Sequence, residues 1–136
     1  MRKPFNIFHV KIDRVTFDET LDLIKEYLHD VGAHTIVTPN PEILLKLKAE
    51  DGIRDALNSA DLRIPDGEGL IFASKLLKTP IKERVTGVDV LYKLLSYSTK
   101  HHYSIHILLH EDGLTQSRTL RAYLEKYFPT LQYTSQ

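Results

Sequence analysis

Four side chains in this sequence have types and surroundings that could do chemistry. They are Thr38 and Asn40 in Thr38-Pro39-Asn40-Pro41-Glu42, Asp66 in Pro65-Asp66-Gly67-Glu68-Gly69, and Arg84 in Lys82-Glu83-Arg84-Val85-Thr86-Gly87. Asp66 stands between a proline, which restricts the backbone, and a glycine, which frees it, so its carboxylate would be held on a tight turn near a helix start. A carboxylate fixed in a cleft can take the proton of an attacking hydroxyl, a general-base role that needs geometry first and a suitable pKa second. Pro-Asp-Gly is equally a common turn whose aspartate bonds only its own backbone, and the local sequence by itself favours that turn. Asn40 before Pro41 could be an ordinary helix cap, and Thr38 could simply end a strand. Arg84 could be a solvated charge or a partner of Glu83, or its guanidinium could make a forked contact to a phosphate or a sugar hydroxyl.

These residues need elements to position them. Phe8, Val10 and Ile12 alternate with His9, Lys11 and Asp13, which predicts a first strand over Phe8 to Asp13. Thr16-Phe17-Asp18-Glu19 fits a capping box, and Phe17, Leu21, Ile24 and Leu28 recur at helical spacing until Gly32. His34 to Thr38 reads as a strand, and Asn40 and Pro41 open a helix through Ile43, Leu44 and Leu47. A second helix follows from about Asp51 to Ser59, then a brief strand at Leu62 to Ile64 and a helix from Leu70 to Leu77, broken by Pro80. After Thr86-Gly87 a helix runs towards Thr99, Tyr103 to Leu109 alternates as a strand, Leu114 to Phe128 is helical, and Leu131 to Tyr133 starts another strand. Strands alternating with helices predict an α/β fold with a mainly parallel sheet covered by helices on both faces. The Ile36-Val37, Leu62-Ile64 and Ile105-Leu109 segments are expected to be parallel neighbours. In such sheets ligands bind beyond the carboxyl ends of the strands, where the Thr38 and Asp66 segments both emerge.

The bulk composition narrows the function. A chain of 136 residues with no internal repeat or linker reads as a single domain over residues 1–136. Eighteen basic and eighteen acidic side chains cancel, so no global field favours nucleic acid. Cysteine is absent, which removes disulfides, thiolate nucleophiles and Cys-based zinc sites and fits a reducing cytoplasm. No apolar run approaches the ~18 residues of a membrane span, so any membrane contact would be peripheral.

Three stretches together go further than any one: Thr38-Pro39-Asn40-Pro41-Glu42, Ala60 to Gly69, and Glu83-Arg84-Val85-Thr86-Gly87-Val88-Asp89. In order and spacing the chain resembles the WecG/TagA/CpsF glycosyltransferases from near its N-terminus to about Leu95. The resemblance implies a Rossmann-like α/β fold and a metal-independent, inverting transfer without a cofactor. It implies a UDP-N-acetylmannosamine-type donor and an undecaprenyl-diphosphate-linked N-acetylglucosamine acceptor, in the synthesis of bacterial surface polysaccharide such as a teichoic acid linkage unit, enterobacterial common antigen or capsule. It further implies that Asp66 is the catalytic base, that Thr38 and Asn40 line the amino-sugar pocket, and that Arg84 serves binding or charge stabilisation. The location implied is cytoplasmic, at the inner face of the plasma membrane.

Beyond Leu95 the resemblance thins. Glu111-Asp112 would repel a diphosphate, and the chain stops at Gln136, before a later Pro-x-Gln-Glu segment of the family. A non-catalytic nucleotide-sugar-binding or interaction module is therefore the competing reading. Ending at Gln136 should also leave core surface uncovered, which predicts a homo-oligomer. Three other signals weigh less. Gly67-Glu68-Gly69 lacks the third glycine of a dinucleotide fingerprint, since Phe72 stands there. His102, His106 and His110 have helical metal-ligand spacing but lie on a stretch read as strand, where four residues span roughly 13 Å. Lys75, Lys78, Lys82 and Arg84 cluster around Leu76, Leu77 and Ile81, which is usually a solvated face but would also suit an anionic membrane.

Overall fold

The computed structural model describes residues 4–47, 51–113 and 115–136, which form a mixed α/β protein of two compact units, Met1–Val90 and Leu91–Gln136. In the first unit, strands β1 (Phe5–Ile7) and β2 (Val10–Ile12) form an antiparallel hairpin in which Phe5 faces Ile12 and Ile7 faces Val10. The expected strand from Phe8 is thus shortened. Phe8 and His9 form the turn, with φ of 50° and 62°, and Phe8 is exposed. Such φ values at both central residues are those of a hairpin turn that normally uses Asn or Gly. Here a tertiary contact holds it: Asn58 Nδ2 donates to the His9 carbonyl at 2.9 Å, and Asn58 Oδ1 accepts from Lys11 N at 3.0 Å.

Helix α1 (Phe17–His29) begins with the expected box: Glu19 N donates to Thr16 Oγ1 at 3.2 Å, and Thr16 N to Glu19 Oε2 at 2.9 Å. It ends at the Asp30 cap, two residues before Gly32. Strand β3 (Ile36–Val37) then pairs in parallel with β4 (Leu62–Arg63). Parallel neighbours need a crossover, which helices α2 (Pro41–Lys46) and α3 (Asp51–Ser59) supply. Phe5, Val10 and Ile12 pack with Leu44, Leu47, Leu57, Leu70 and Ile81 as the core of this unit.

A ladder of two residues per strand is short, and a nearly buried ion pair reinforces it. Asp13 Oδ2 accepts from the Arg63 amide at 2.8 Å and from its Nε at 3.1 Å, while Asp13 N donates to the Arg63 carbonyl at 2.9 Å. Helix α4 (Glu68–Leu76) follows, burying Leu70 and Ser74. Ser74 Oγ accepts from Ile81 N at 2.9 Å, which folds the Lys78–Ile81 stretch back onto the helix.

Helix α5 covers Gly87–His101, and the second unit begins at Leu91. There β5 (Ser104–Ile107) pairs in parallel with β6 (Gln132–Ser135), joined through α6 (Ser117–Tyr127). Leu114, where the pattern starts that helix, lies outside the described residues. Leu95, Leu124, Phe128 and Leu131 form the core of this unit. The expected parallel pairing holds for β3 with β4, whereas the hydrogen-bonded partner of β5 is β6, so the described strands make three two-stranded sheets.

Two outcomes follow from this packing. Asp13→Ala strands Arg63 without its carboxylate and should lower the unfolding free energy by about 3 kcal/mol in urea titration. The second concerns acid. Asp61 is held below its ordinary value of 3.8 chiefly by the Thr35 amide, and Asp30 chiefly by the Val31 amide and then by His34. Because the folded state favours their charged forms, their stabilisation is present above that ordinary value and lost as pH falls through the depressed ones. Melting curves taken on acidification to about pH 2 should therefore fall less steeply for Asp61→Asn than for the unaltered chain.

Candidate functional site

The β3–β4 pairing continues past the strand ends and aligns the loops beyond them. Ile64 N donates to the Val37 carbonyl at 2.8 Å and Asp66 N to the Pro39 carbonyl at 3.2 Å. A third segment joins from the chain that returns after α4, where Val85 N donates to the Pro65 carbonyl at 3.0 Å. The stretches carrying Thr38 and Asn40, Asp66, and Arg84 are thereby brought together.

Each is locally determined. Asn40 is the N-cap of α2, its Oδ1 accepting from Ile43 N at 2.8 Å, and Pro41 takes the first helical position, where a missing N–H matters least. Gly67 has φ of 124°, and a Cβ there would lie 2.8 Å from Pro41 Cδ. Only glycine lets the start of α4 pass this close to the start of α2. At Gly87 a Cβ would lie 3.0 Å from Thr38 Cγ2, so Thr38 packs against the first residue of α5.

Asp66 does not close its own turn. Its Oδ2 accepts from the Gly87 amide at 3.1 Å, across 21 residues of sequence. Its Oδ1 lies 3.8 Å from Arg84 Nε, with the Asp66 side chain 24% exposed and that of Arg84 44%. Arg84 Nη1 lies 3.6 Å from Glu68 Oε1, so the guanidinium bridges two carboxylates. Glu83, the bland partner for Arg84, instead accepts from the Phe17 amide at 3.0 Å. Among the described residues neither Thr38 Oγ1 nor Asn40 Nδ2 has a hydrogen-bond partner, and both residues are half-buried. The group therefore offers two carboxylates, one cation, a hydroxyl, an amide donor and the N-terminal end of a long helix. A hydroxyl to be deprotonated and an anion to be neutralised would both find partners here.

Sequence reasoning missed two of these participants. Glu68 looked like a turn residue, and the Gly87 amide has no side chain to draw notice. The available signal was Thr86-x-x-Asp89, a helix-start pattern in which Asp89 N donates to Thr86 Oγ1 at 3.2 Å, which marks Gly87 as the start of α5.

A hollow of about 400 Å³ lies elsewhere, near the residues that lead into β4, lined by Asp13, Arg14, Leu23, Tyr27 and Asp61 among others. Its polar groups serve the fold. Asp13 holds Arg63, Arg14 Nε donates to the Pro80 carbonyl at 2.9 Å, and Asp61 accepts from the Thr35 amide at 2.8 Å. Tyr27 stacks on His34 at 4.2 Å, and burial pushes its phenol up, so it stays protonated. Among the described residues no group of three or more acids or histidines is placed to hold a metal ion. His102 follows the end of α5, His106 on β5 contacts Thr134, and His110 accepts from Asp112 N.

The chain is similar to N-acetylglucosaminyldiphosphoundecaprenol N-acetyl-beta-D-mannosaminyltransferase of Staphylococcus aureus strains NCTC 8325 / PS 47, COL and MRSA252. In each case it is 27% identical over 105 residues, covering 76% of this chain and 41% of the relative. The chain thus spans less than half the length of the curated relatives it matches. A family model for the WecG/TagA/CpsF glycosyl transferases matches residues 5–135, a span that includes all three converging loops and every described strand, and the chain accordingly belongs to the WecG/TagA/CpsF glycosyl transferase family.

Proposed function

We propose that this chain carries the catalytic centre of an inverting, metal-independent transferase. It would move an N-acetylmannosamine-type sugar from a UDP donor to an undecaprenyl-diphosphate-linked N-acetylglucosamine during cell-surface polysaccharide synthesis. The family match and the names of the relatives support glycosyl transfer, and those names supply the sugar and the lipid-linked acceptor. The observation that carries the reading is the Asp66 carboxylate. Its sequence favours a self-closed turn, yet it reaches across to Gly87 and stands beside Arg84.

In this mechanism the acceptor hydroxyl gives its proton to Asp66 as its oxygen attacks the anomeric carbon from the face opposite the UDP. The bond to the diphosphate breaks as the new glycosidic bond forms. Charge growing on the departing diphosphate is offset by Arg84 and by the N-terminal end of α5. Thr38 and Asn40, with Oγ1 and Nδ2 unengaged, hold the amino sugar. The same proposal takes residues 1–136 as one Rossmann-like domain, working in the cytoplasm at the inner face of the plasma membrane. It includes self-association, to which the exposed Leu108, Tyr123 and Tyr127 would contribute.

The competing reading, a module that binds a nucleotide sugar without catalysis, gains from the same Asp66 contacts, because a carboxylate that caps α5 and pairs with arginine has a structural role already. Asp66→Asn separates the two. Asparagine can still accept from the Gly87 amide but cannot take the proton. Turnover onto a lipid-diphosphate N-acetylglucosamine analogue should fall by about 10²- to 10⁴-fold, with UDP-sugar affinity by calorimetry changed far less. Near-normal turnover with binding intact would remove Asp66 from the mechanism.

A further inference from the structure

Helix α4 is oriented against the usual rule for a surface helix. Leu70 and Ser74 are buried, while Phe72 and Leu76, one turn apart on the opposite face, are each 72% exposed. Single exposed apolar side chains are ordinary, but contiguous ones are not. Here the stripe continues. Gly69, Phe72 and Leu76 follow one face of α4 at helical spacing, and Gly69 also lines an apolar hollow of about 140 Å³ with Phe8, Pro41 and Leu45. Phe8 and Leu45 are themselves 52% and 62% exposed.

Among the described residues the charges beside this surface that lack an ion-pair partner are of one sign. Lys75 lies on the same face of α4, one turn from Phe72, and Lys78 sits just past its end with φ of 55°. Both are exposed, and neither makes an ion pair among the described residues. Both acids here are paired: Glu68 is turned to Arg84 at the other end of the helix, and Glu42, one turn before Leu45 on α2, lies 3.4 Å from Lys46.

We propose that the outward face of α4, together with the hairpin turn at Phe8 and the side of α2 at Leu45, docks on the surface of an anionic lipid bilayer. Aromatic and aliphatic side chains would enter the boundary between headgroups and acyl chains, with Lys75 and Lys78 reaching back to lipid phosphates. A second copy fits less well, because a two-fold contact through this face would set Lys75 and Lys78 near their own equivalents. The placement gives the surface a purpose under the transfer reading above, on which only that purpose rests. Helices α2 and α4 both begin at the candidate site, so a substrate with a lipid tail would meet Asp66 at the edge of the docked face.

The test is co-sedimentation of the 136-residue chain with phosphatidylcholine vesicles, alone or with roughly 30% phosphatidylglycerol. The chain should bind the anionic vesicles and not the neutral ones. Phe72→Ser with Leu76→Ser, and separately Lys75→Glu with Lys78→Glu, should each reduce binding by about tenfold or more. Val31→Ser, at an exposed residue after α1, should leave it unchanged. UDP binding by calorimetry should be unaffected in all these variants, so that failure of docking and failure of the donor site are read separately. The proposal is overturned if the anionic vesicles are not bound, or if the α4 variants bind as the unaltered chain does. It is also overturned if Phe72→Ser with Leu76→Ser converts a dimer to a monomer in sedimentation velocity, since a second copy would then cover this face.

Discussion

The contact between Asp13 and Arg63 is the constraint on which the first unit depends. Strands β3 and β4 share only two residue pairs, too few to hold a parallel ladder alone. Arg63 ties that ladder to the end of the β1–β2 hairpin through its own amide, carbonyl and guanidinium, and its Nη1 also donates to the Ala60 carbonyl. A nearly buried guanidinium with its carboxylate and neighbouring carbonyls satisfied is tolerated, whereas one left alone is strongly destabilising. The direction in which Pro65 and Asp66 leave β4 is therefore set by an ionic contact on the strand itself.

From that fixed exit, the candidate site assembles through backbone more than through side chains. Pro39, Pro65 and Gly87 each contribute a main-chain group to the hydrogen bonds that join the three loops. Side chains then add opposing charges: Asp66 and Glu68 on one side, Arg84 and the N-terminal end of α5 on the other. An arginine shared between two carboxylates at 3.6 and 3.8 Å is held without close contact to either, a geometry from which it can turn towards another anion.

What the sequence made legible was chiefly what neighbouring residues decide. The Thr16–Glu19 box and the Asn40–Pro41 helix start are satisfied within a few residues, so their patterns and their structures agree. The alternation at Phe8 misled because the turn at Phe8 and His9 is held by Asn58, some fifty residues away, with no glycine or asparagine to announce it. Asp66 was identified as a residue of interest, but its partner was not, because a contact over 21 residues leaves no local trace. The pattern around Leu70 to Leu77 likewise gave a helix without saying which face is inside, and the burial of Ser74 beneath an exposed Phe72 follows from the Ile81 amide that Ser74 accepts. The family resemblance was legible for the opposite reason: its three motifs are the loops that the fold brings together, so their spacing in sequence records a proximity in space.

The central claim is that these three loops form one nucleotide-sugar site, and amide chemical-shift mapping of the chain with a UDP-amino sugar tests it most directly. The account predicts perturbations concentrated at Thr38, Asn40, Gly67 to Gly69 and Val85 to Gly87, with the Gly87 amide among the largest. Shifts gathered instead around Asp13, Arg14, Tyr27 and Asp61 would place the ligand in the hollow near the start of β4 and contradict it.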